Sequence, residues 1–417
     1  MTGAGRWFDQ ARFGMFVHWD HASQQGLEVS WPLVGGVFAL PQSQSVTVEQ
    51  YHSSAATFDP QEWDPVALAR LARRAGMGYA VLTAKHHSGY AMWPTKLSDW
   101  SVARSPYGKD IVAGFVEAMR AEGLRVGLYF SLSDWHHPDY PAFTEEHKPY
   151  RFGASPPMPD PATWERYLEF MFGQVTELLT GYGDIDLLWF DGGWERPDWR
   201  AAELEAEIRR LQPSIILNDR LPGVGDYSTP EQAVPHAPPS RPWETCLTMN
   251  RSWGWNPDDH AYKSSRSLVH TLCEVAGKGG NLLLNVSPRG DGSLPEEQVA
   301  RLEEIGGWME HNAESIGGTG PGVDAAQFYG PSTRAGDTLY LHLLMRPYDT
   351  VDVRHLPVRR VRSVRELASG RPLAYRTHTG ILEGLMADPP GTVTIEVPGD
   401  VVGELATVLA VELAPAG

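Results

Sequence analysis

Short apolar runs alternate with amphipathic stretches through the first three quarters of the chain. The runs are almost continuously apolar, which is typical of strands covered on both faces of a parallel sheet. Seven of them predict strands, namely FGMFVHW, YAVLTAKH, RVGLYFSL, DIDLLWFDG, SIILNDR, WETCLTM and GNLLLNVSP. Because most of these runs are followed by a helical repeat, the pattern predicts a sheet assembled from βα units.

The amphipathic stretches carry signals for where helices begin and end. In DPVALARLARRAGM, Asp64 is placed to cap a helix, Pro65 to fill its first position and Gly76 to end it. Further helices are predicted in DIVAGFVEAMRAEG, TWERYLEFMFGQVTELLT, WRAAELEAEIRRLQ, SSRSLVHTLCEVAGKG and PEEQVARLEEIGGWMEHN. The alternation predicts an α/β fold of the (β/α)8 TIM-barrel type with one strand not located, and an open doubly wound sheet is the alternative.

The pattern changes after about Gly320, where the helical repeat ends. The runs DTLYLHLLM, GTVTIEVPG and ATVLAVELA alternate apolar and polar residues between Gly and Pro, which predicts antiparallel strands. The segment SIGGTGPGVDAAQFYGPS is the predicted linker. We therefore predict two domains, a (β/α)8-like TIM barrel over residues 1–318 and a C-terminal antiparallel β-sandwich over residues 319–417.

Polar side chains stand at or near the carboxyl ends of separate predicted strands. They are His18, His86, Tyr129, Asp191, Arg220 and Asn285. In a barrel these ends meet at one mouth, where barrel enzymes hold their chemistry. The distribution therefore favours the barrel over the open sheet and predicts a functional site at its mouth.

Asp191 has the most specific setting of these residues, in LLWFDGGW. Trp189, two residues earlier in the strand, points to the same side, and the two glycines that follow leave room for a ligand. A carboxylate in this position can be a nucleophile, a general base or a metal ligand, or it can cap the next turn. Arg220, at another strand end, would keep it ionised, as a nucleophile requires.

A nucleophilic Asp191 needs a second carboxyl group that acts first as an acid and then as a base. Glu231 lies in the loop DYSTPEQAVP, whose irregular backbone can bring it over the pocket. Glu244 opens the strand in RPWETCLTM and is alternatively a structural hydrogen-bond acceptor. We favour Glu231 and keep Glu244 as the alternative.

Histidines at the same predicted face indicate ligand binding. His86 and His87 are adjacent at one strand end, and His18 ends the first strand. Imidazoles in such a cluster bind hydroxyl groups or a metal ion. The motif HWDH separates His18 and His21 by three positions rather than in the His-x-His spacing common in metal-dependent barrel hydrolases, so we predict no catalytic metal.

Composition narrows the class of partner. The 417-residue chain has a formal net charge of −17, which disfavours nucleic acid and anionic membrane surfaces. No secretory signal or apolar stretch of membrane-spanning length is visible, and Cys246 and Cys273 fit no disulfide or metal-binding pattern. We therefore expect a cytoplasmic protein, and a leader removed from a precursor is the alternative. The chain's 15 Trp, 15 Tyr and 15 His are numbers common where sugars are bound, and they fit large core residues with scattered surface histidines equally well.

Six blocks of the sequence resemble a known family. In chain order they are RFGMFVHW, TAKHHSGYAMWPTKLSDWSV, GLYFSLSDWHHPDY, LLWFDGGW, LNDR and GKGGNLLLNVSPRGDG. Together they are similar to the alpha-L-fucosidases of glycoside hydrolase family 29, over about Trp7 to Ile316. The resemblance implies a retaining exo-hydrolase that removes terminal L-fucose from fucosylated oligosaccharides or glycoconjugates, with no cofactor.

The resemblance also implies roles for individual residues. Asp191 matches the nucleophile, and the loop that holds Glu231 matches the segment carrying the acid/base. The positions that match the fucose pocket are His18, His86, His87, Tyr129, Trp189 and Arg220. Trp31 or Trp255 is expected to pack against the apolar face and methyl group of the sugar, and packing in the protein core is the alternative for both.

One position departs from the family pattern. Many members carry a Glu-Trp pair in the loop after the first strand, whereas this chain has Ser30 before Trp31 in LEVSWPLVGG. Either Glu28 supplies the sugar contact from a shifted loop, or the pocket lacks it. Two other functions remain as alternatives on the sequence, a fucose-binding protein without catalysis and a metal-dependent barrel hydrolase.

Overall fold

A seven-stranded parallel sheet forms the centre of the molecule. The computed structural model describes residues 6–35, 43, 45–141, 144–148, 159–193 and 198–415. The strands are β1 (Phe13–Val17), β2 (Tyr79–Lys85), β3 (Arg125–Ser131), β4 (Leu187–Asp191), β5 (Ile216–Leu217), β6 (Glu244–Thr248) and β7 (Asn281–Val286). All seven predicted strands are confirmed, and their order across the sheet is β5, β4, β3, β2, β1, β7, β6.

Both faces of this sheet are buried, which explains the continuous apolar runs. Alternate residues point to opposite faces of a strand. On one face, Phe16, Val81 and Trp189 belong to a cluster of buried side chains that also includes Tyr129. Residues of the opposite face, such as Leu82, belong to the larger cluster that includes the apolar sides of the helices. Asp191 therefore shares its face of β4 with Trp189, as the sequence predicts.

Residues 227–231 connect the two outer strands of the sheet. Tyr227 forms an isolated parallel bridge with Asn218, directly after β5. Ser228 forms such a bridge with Trp243, directly before β6, and Glu231 forms one with Cys246 within β6. The segment pairs only through isolated bridges, and its sequence, YSTPE, has no continuous apolar run that would mark it as a strand.

Helices connect the strands. The described residues include α1 (Arg6–Ala11), α2 (Val48–Ser53), α3 (Pro65–Arg74), α4 (Ile111–Ala121), α5 (Pro161–Gly181), α6 (Ala201–Leu211), α7 (Ser265–Gly277) and α8 (Glu296–Asn312). The six predicted helices are α3 to α8. Asp64 caps α3 by accepting two backbone hydrogen bonds, and Gly76 follows the helix at a φ of 83°. In the part of the chain that the structure describes, no helix combines the length and apolarity that a membrane crossing requires.

The C-terminal part contains two antiparallel sheets. Its strands are β8 (Gly320–Pro321), β9 (Ser332–Ala335), β10 (Thr338–Leu343), β11 (Thr350–Pro357), β12 (Val361–Glu366), β13 (Tyr375–His378), β14 (Pro390–Glu396) and β15 (Thr407–Leu413). One sheet has the order β12, β15, β10, β9, β8, and the other has the order β11, β14, β13. Side chains from both sheets, including Leu341 and Val393, share one buried apolar cluster. The three alternating runs of the sequence correspond to β10, β14 and β15.

Candidate active site

A pocket of about 290 Å³ opens at the carboxyl ends of the parallel strands. It is lined by Phe16, His18, Trp31, His86, Tyr129, Trp189, Asp191, Arg220, Glu231, Cys246 and Trp253. Eight of these residues were singled out from the sequence. Phe16, Cys246 and Trp253 were not, while Glu244, His87 and Trp255 were predicted but do not line the pocket.

Asp191 is the ionised carboxylate at the base of the pocket. Arg220 Nη1 donates a hydrogen bond to its Oδ1 at 2.8 Å, and the Tyr129 hydroxyl donates to its Oδ2 at 2.8 Å. His87 Nε2 lies 3.7 Å from Oδ2. Burial alone would raise the pKa of Asp191, but the charges and hydrogen bonds of these neighbours outweigh burial and hold the pKa below its usual value. The side chain is therefore an anion at neutral pH.

Arg220 joins Asp191 to Glu231. Its Nη2 donates to Glu231 Oε2 at 2.7 Å while Nη1 contacts Asp191. The guanidinium lies over the indole of Trp189, 4.6 Å from the ring centre, in a cation–π contact. Glu231 is the more accessible acid, with 40% of its side chain exposed against 14% for Asp191. One cation thus holds two carboxyl groups that differ in surroundings at a single pocket.

Glu244 lies outside this pocket. It is the first residue of β6, so it stands at the amino end of the strand, opposite the mouth. Its carboxyl group is fully buried and accepts hydrogen bonds from the Tyr79 hydroxyl and, at 3.0 Å, from Trp189 Nε1. Burial raises the pKa of Glu244 to about 7. The structure therefore places this residue as a support beneath Trp189.

Replacing Glu244 with glutamine is expected to reduce the pH dependence of stability. The pKa of Glu244 is about 7 in the folded protein and 4.5 for the free side chain, so within this window the unfolded chain has released a proton that the folded protein retains. Stability therefore falls as pH rises through the window, and glutamine, which does not ionise, is expected to remove about 3 kcal/mol of the fall between about pH 5 and about pH 8. Urea unfolding of both proteins at the two pH values measures this. An equal change in the free energy of unfolding between the two pH values in both proteins would contradict it.

The predicted histidines are neutral and firmly held. His18 Nδ1 lies 2.7 Å from Asn285 Oδ1, His86 Nδ1 lies 2.6 Å from Ser30 Oγ, and His87 Nδ1 lies 2.6 Å from Ser131 Oγ. Burial lowers the pKa of His18 to about 3, that of His87 to about 4 and that of His86 well below its usual value. His18 and His86 line the pocket, whereas His87 is fully buried beside Asp191.

His21 does not join His18. It is fully buried, and its Nδ1 lies 2.7 Å from Ser54 Oγ. Across the described ranges, no group of three or more His, Cys, Asp or Glu side chains is arranged to hold a metal ion.

Trp253, rather than Trp255, reaches the pocket. The ring of Trp253 lies 4.8 Å from that of His18, centre to centre, whereas Trp255 packs beside Gly26. Glu28 sets this arrangement, because its buried carboxyl group accepts hydrogen bonds from the backbone N–H groups of Trp253 and Gly254. Glu28 therefore orders the loop that carries Trp253 and does not itself line the pocket. Trp31 lines the pocket beside Ser30.

Hydrolysis of a glycosidic bond by a pair of carboxyl groups requires that one stay ionised while the other exchanges a proton. Asp191, buried and held as an anion, suits the first task. Glu231, more exposed and on the same guanidinium, suits the second. This pair, with the aromatic and imidazole walls of the pocket, gives the site the features of a two-carboxylate glycoside hydrolase.

Known proteins identify the family. Residues 2–314 match the family model described as alpha-L-fucosidase. Tissue alpha-L-fucosidase of Rattus norvegicus is 31% identical over 339 residues, which cover 75% of this chain and 69% of the relative. Alpha-L-fucosidase of Dictyostelium discoideum is 29% identical over 344 residues, which cover 76% of this chain and 72% of the relative. The chain belongs to the alpha-L-fucosidase family.

Solved structures of alpha-L-fucosidases have a similar fold over nearly the full length of the chain. Alpha-L-fucosidase isoenzyme 1 from Paenibacillus thiaminolyticus has a TM-score of 0.86 and 34% identity, with 99% of each chain covered. A trapped covalent intermediate of an alpha-L-fucosidase from Bacteroides thetaiotaomicron has a TM-score of 0.85 and 25% identity, covering 100% of this chain and 97% of the other. Neither alternative function, binding without catalysis or metal-dependent hydrolysis, is favoured by these matches.

Proposed function

We infer that the protein is a retaining alpha-L-fucosidase, an exo-glycoside hydrolase that releases terminal alpha-L-fucose from fucosylated oligosaccharides or glycoconjugates. The observation that carries this function is the bridge from Asp191 through Arg220 to Glu231, since it holds a nucleophile and a proton donor at one pocket. The related enzyme from Bacteroides thetaiotaomicron, trapped as a covalent intermediate, supports the same two-step course.

We propose that Asp191 attacks the anomeric carbon while Glu231 gives its proton to the departing oxygen. Water then attacks the resulting glycosyl ester, and Glu231 removes a proton from that water. Arg220 serves both steps, because it contacts both carboxyl groups. When Asp191 loses its charge by forming the ester, Arg220 still stabilises the anion that Glu231 has become by donating its proton.

The walls of the pocket suit a deoxy sugar with both polar and apolar faces. We propose that His18, His86 and Tyr129 bind ring hydroxyl groups, and that Trp31 and Trp253 pack against the C–H face and the methyl group. His87 supports Asp191 from behind the pocket and Trp189 supports Arg220. In this proposal Trp253 takes the stacking role that the sequence offered to Trp255.

The parallel sheet fits a (β/α)8 barrel whose eighth strand is residues 227–231. Support comes from the bridges of this segment to Asn218 on one side and to Trp243 and Cys246 on the other. Tyr227 also belongs to the buried cluster on the Asp191 face of the sheet. We propose that the barrel extends to residue 318 and that a β-sandwich follows, although residues 1–5 and 416–417 lie outside the described ranges.

We propose a cytoplasmic location, in keeping with the thiols of Cys246 and Cys273, which are both free and buried. The substrate rather than a second macromolecule is the proposed partner, because the net charge of −17 opposes nucleic acid and anionic membranes.

Product stereochemistry tests the proposed function. Hydrolysis of an aryl alpha-L-fucoside, followed by proton NMR from the first minutes, is expected to show alpha-L-fucose appearing before mutarotation produces the beta anomer. Beta-L-fucose as the first product would contradict the double displacement, and failure to release any fucose would contradict the activity.

A further inference from the structure

Two histidines of the pocket are each held through one ring nitrogen. The rings of His18 and His86 lie 5.8 Å apart, centre to centre, and each residue keeps 4% of its surface accessible. Both use Nδ1 to contact a residue behind the pocket, Asn285 for His18 and Ser30 for His86. Since neither Nε2 atom makes a hydrogen bond to another described residue, Nε2 is the atom left to meet a ligand.

The proton on His18 is fixed by Asn285. The amide nitrogen of Asn285 donates to the carbonyl oxygen of Trp253 at 2.7 Å, so the amide oxygen is the atom that faces His18. An amide oxygen only accepts, and His18 Nδ1 must therefore carry the proton. The Nε2 atom of neutral His18 presents a lone pair to the pocket.

The proton on His86 is fixed in the opposite way by Ser30. The backbone N–H of Ser88 donates to Ser30 Oγ at 2.8 Å, so this hydroxyl already serves as an acceptor. Of the two groups that hydrogen-bond Ser30 Oγ among the described residues, the Ser88 N–H can only donate, so His86 Nδ1, 2.6 Å away, is the acceptor for the hydroxyl proton. Nε2 of neutral His86 then carries a proton. Ser30 is fully buried, which keeps water from competing for its hydroxyl group.

We propose that Ser30 is a positioning residue for specificity: it holds His86 as a hydrogen-bond donor opposite His18 as an acceptor, so that the pair recognises one hydroxyl group of the sugar. A hydroxyl group satisfies both imidazoles at once, because it donates one hydrogen bond and accepts another. An ether oxygen or a fluorine in its place only accepts, and leaves His18 unsatisfied. This proposal rests on the proposed function of the pocket.

Burial makes the arrangement independent of pH near neutrality. It lowers the pKa of both imidazoles far enough that each stays neutral, so each has one donor and one acceptor nitrogen. Behind Ser30, the hydroxyl group of Ser88 donates to Asp20 Oδ2 at 3.1 Å, which anchors the backbone that holds Ser30 in place. The folded pocket therefore fixes His86 Nε2 as the donor and His18 Nε2 as the acceptor.

Kinetics of Ser30→Ala provide the first test. We expect kcat/KM for an aryl fucoside to fall about tenfold, which corresponds to the loss of one neutral hydrogen bond, with most of the change in KM. A series of substrates that each lack one ring hydroxyl is expected to show coupling: one of the penalties seen with the wild type becomes much smaller in Ser30→Ala. Ser30→Cys, which keeps a weak donor of similar size, is expected to lie between the two.

Ser54→Ala is the matched control. Ser54 also contacts the Nδ1 of a fully buried histidine, His21, at 2.7 Å, but neither residue lines the pocket. Its removal is expected to change kcat/KM by less than about twofold, because a comparable buried contact is lost away from the substrate. An equal loss in Ser54→Ala and Ser30→Ala would show a merely structural effect and would overturn the proposal.

Nitrogen-15 NMR of labelled imidazoles reads the tautomer without any turnover. We expect the wild type to carry the His86 proton on Nε2 and the His18 proton on Nδ1, with His86 assigned by the signal missing from His86→Gln. A proton on Nδ1 of His86 in the wild type would overturn the proposal even if the variants fold poorly. If the wild type releases no fucose, the proposed function fails, whereas the NMR result still decides the role of Ser30.

Discussion

Replacing Asp191 with alanine is expected to lower kcat for an aryl fucoside by on the order of 10⁴-fold or more, since the covalent route then has no nucleophile. Arg220 retains Glu231 as its ion-pair partner, and the Tyr129 hydroxyl group stays at the pocket wall, so the fold is expected to persist. Steady-state kinetics measures the loss, and circular dichroism with thermal unfolding checks the fold. Added azide is expected to restore turnover by attacking the anomeric carbon directly, which gives a fucosyl azide of inverted configuration.

Asp99→Ala is the control for this variant. Asp99 forms an exposed ion pair with Arg104, and 84% of its side chain is accessible. Such a pair contributes little to stability, so activity and unfolding are expected to match the wild type. Activity of Asp191→Ala within tenfold of the wild type, without azide, would remove the basis for the whole mechanism.

Much of the fold is readable from the sequence because local patterns decide it. Continuous apolar runs mark strands with two buried faces, and the runs that end in His18, His86 and Asp191 led to the correct sheet and the correct edge. The segment 227–231 was missed because its position depends on isolated bridges to residues distant in the sequence, Asn218 after β5 and Trp243 and Cys246 at β6. A segment that pairs only through isolated bridges, and has no apolar run of its own, leaves no local signal in the sequence.

The residues of the site also fall into two groups, those indicated by local sequence and those that depend on contacts between distant residues. Site residues at strand ends were found from their position in the sequence. The choice between Trp253 and Trp255 instead depends on Glu28, more than 200 residues earlier, because the Glu28 carboxyl group holds the backbone of the loop that carries Trp253. Glu244 is different, because its sequence position carried a usable signal. Glu244 opens a strand of the parallel sheet and so stands at the edge opposite the carboxyl ends where the pocket lies, which argues against a catalytic role.

Replacing Glu231 with alanine is expected to affect two substrates very differently. For a fucosyl disaccharide, whose departing oxygen needs a proton, kcat/KM is expected to fall about 10³-fold, whereas for an aryl fucoside with an acidic phenol it is expected to fall only about tenfold. We expect this role of Glu231 because its carboxyl group is accessible at the pocket and adjoins Asp191 through Arg220. Parallel measurements on both substrates give the ratio that identifies the acid.

Glu244→Gln separates this effect from general damage to the pocket. Glu244 supports Trp189 from below, so its substitution acts through the position of the ring and is expected to change both substrates by the same factor. Azide adds a second criterion. In Glu231→Ala the proposed nucleophile Asp191 remains, so azide is expected to attack the glycosyl ester and give a product of retained configuration, opposite to the product of Asp191→Ala. An inverted azide from Glu231→Ala, or equal losses on both substrates, would assign the acid to a residue other than Glu231.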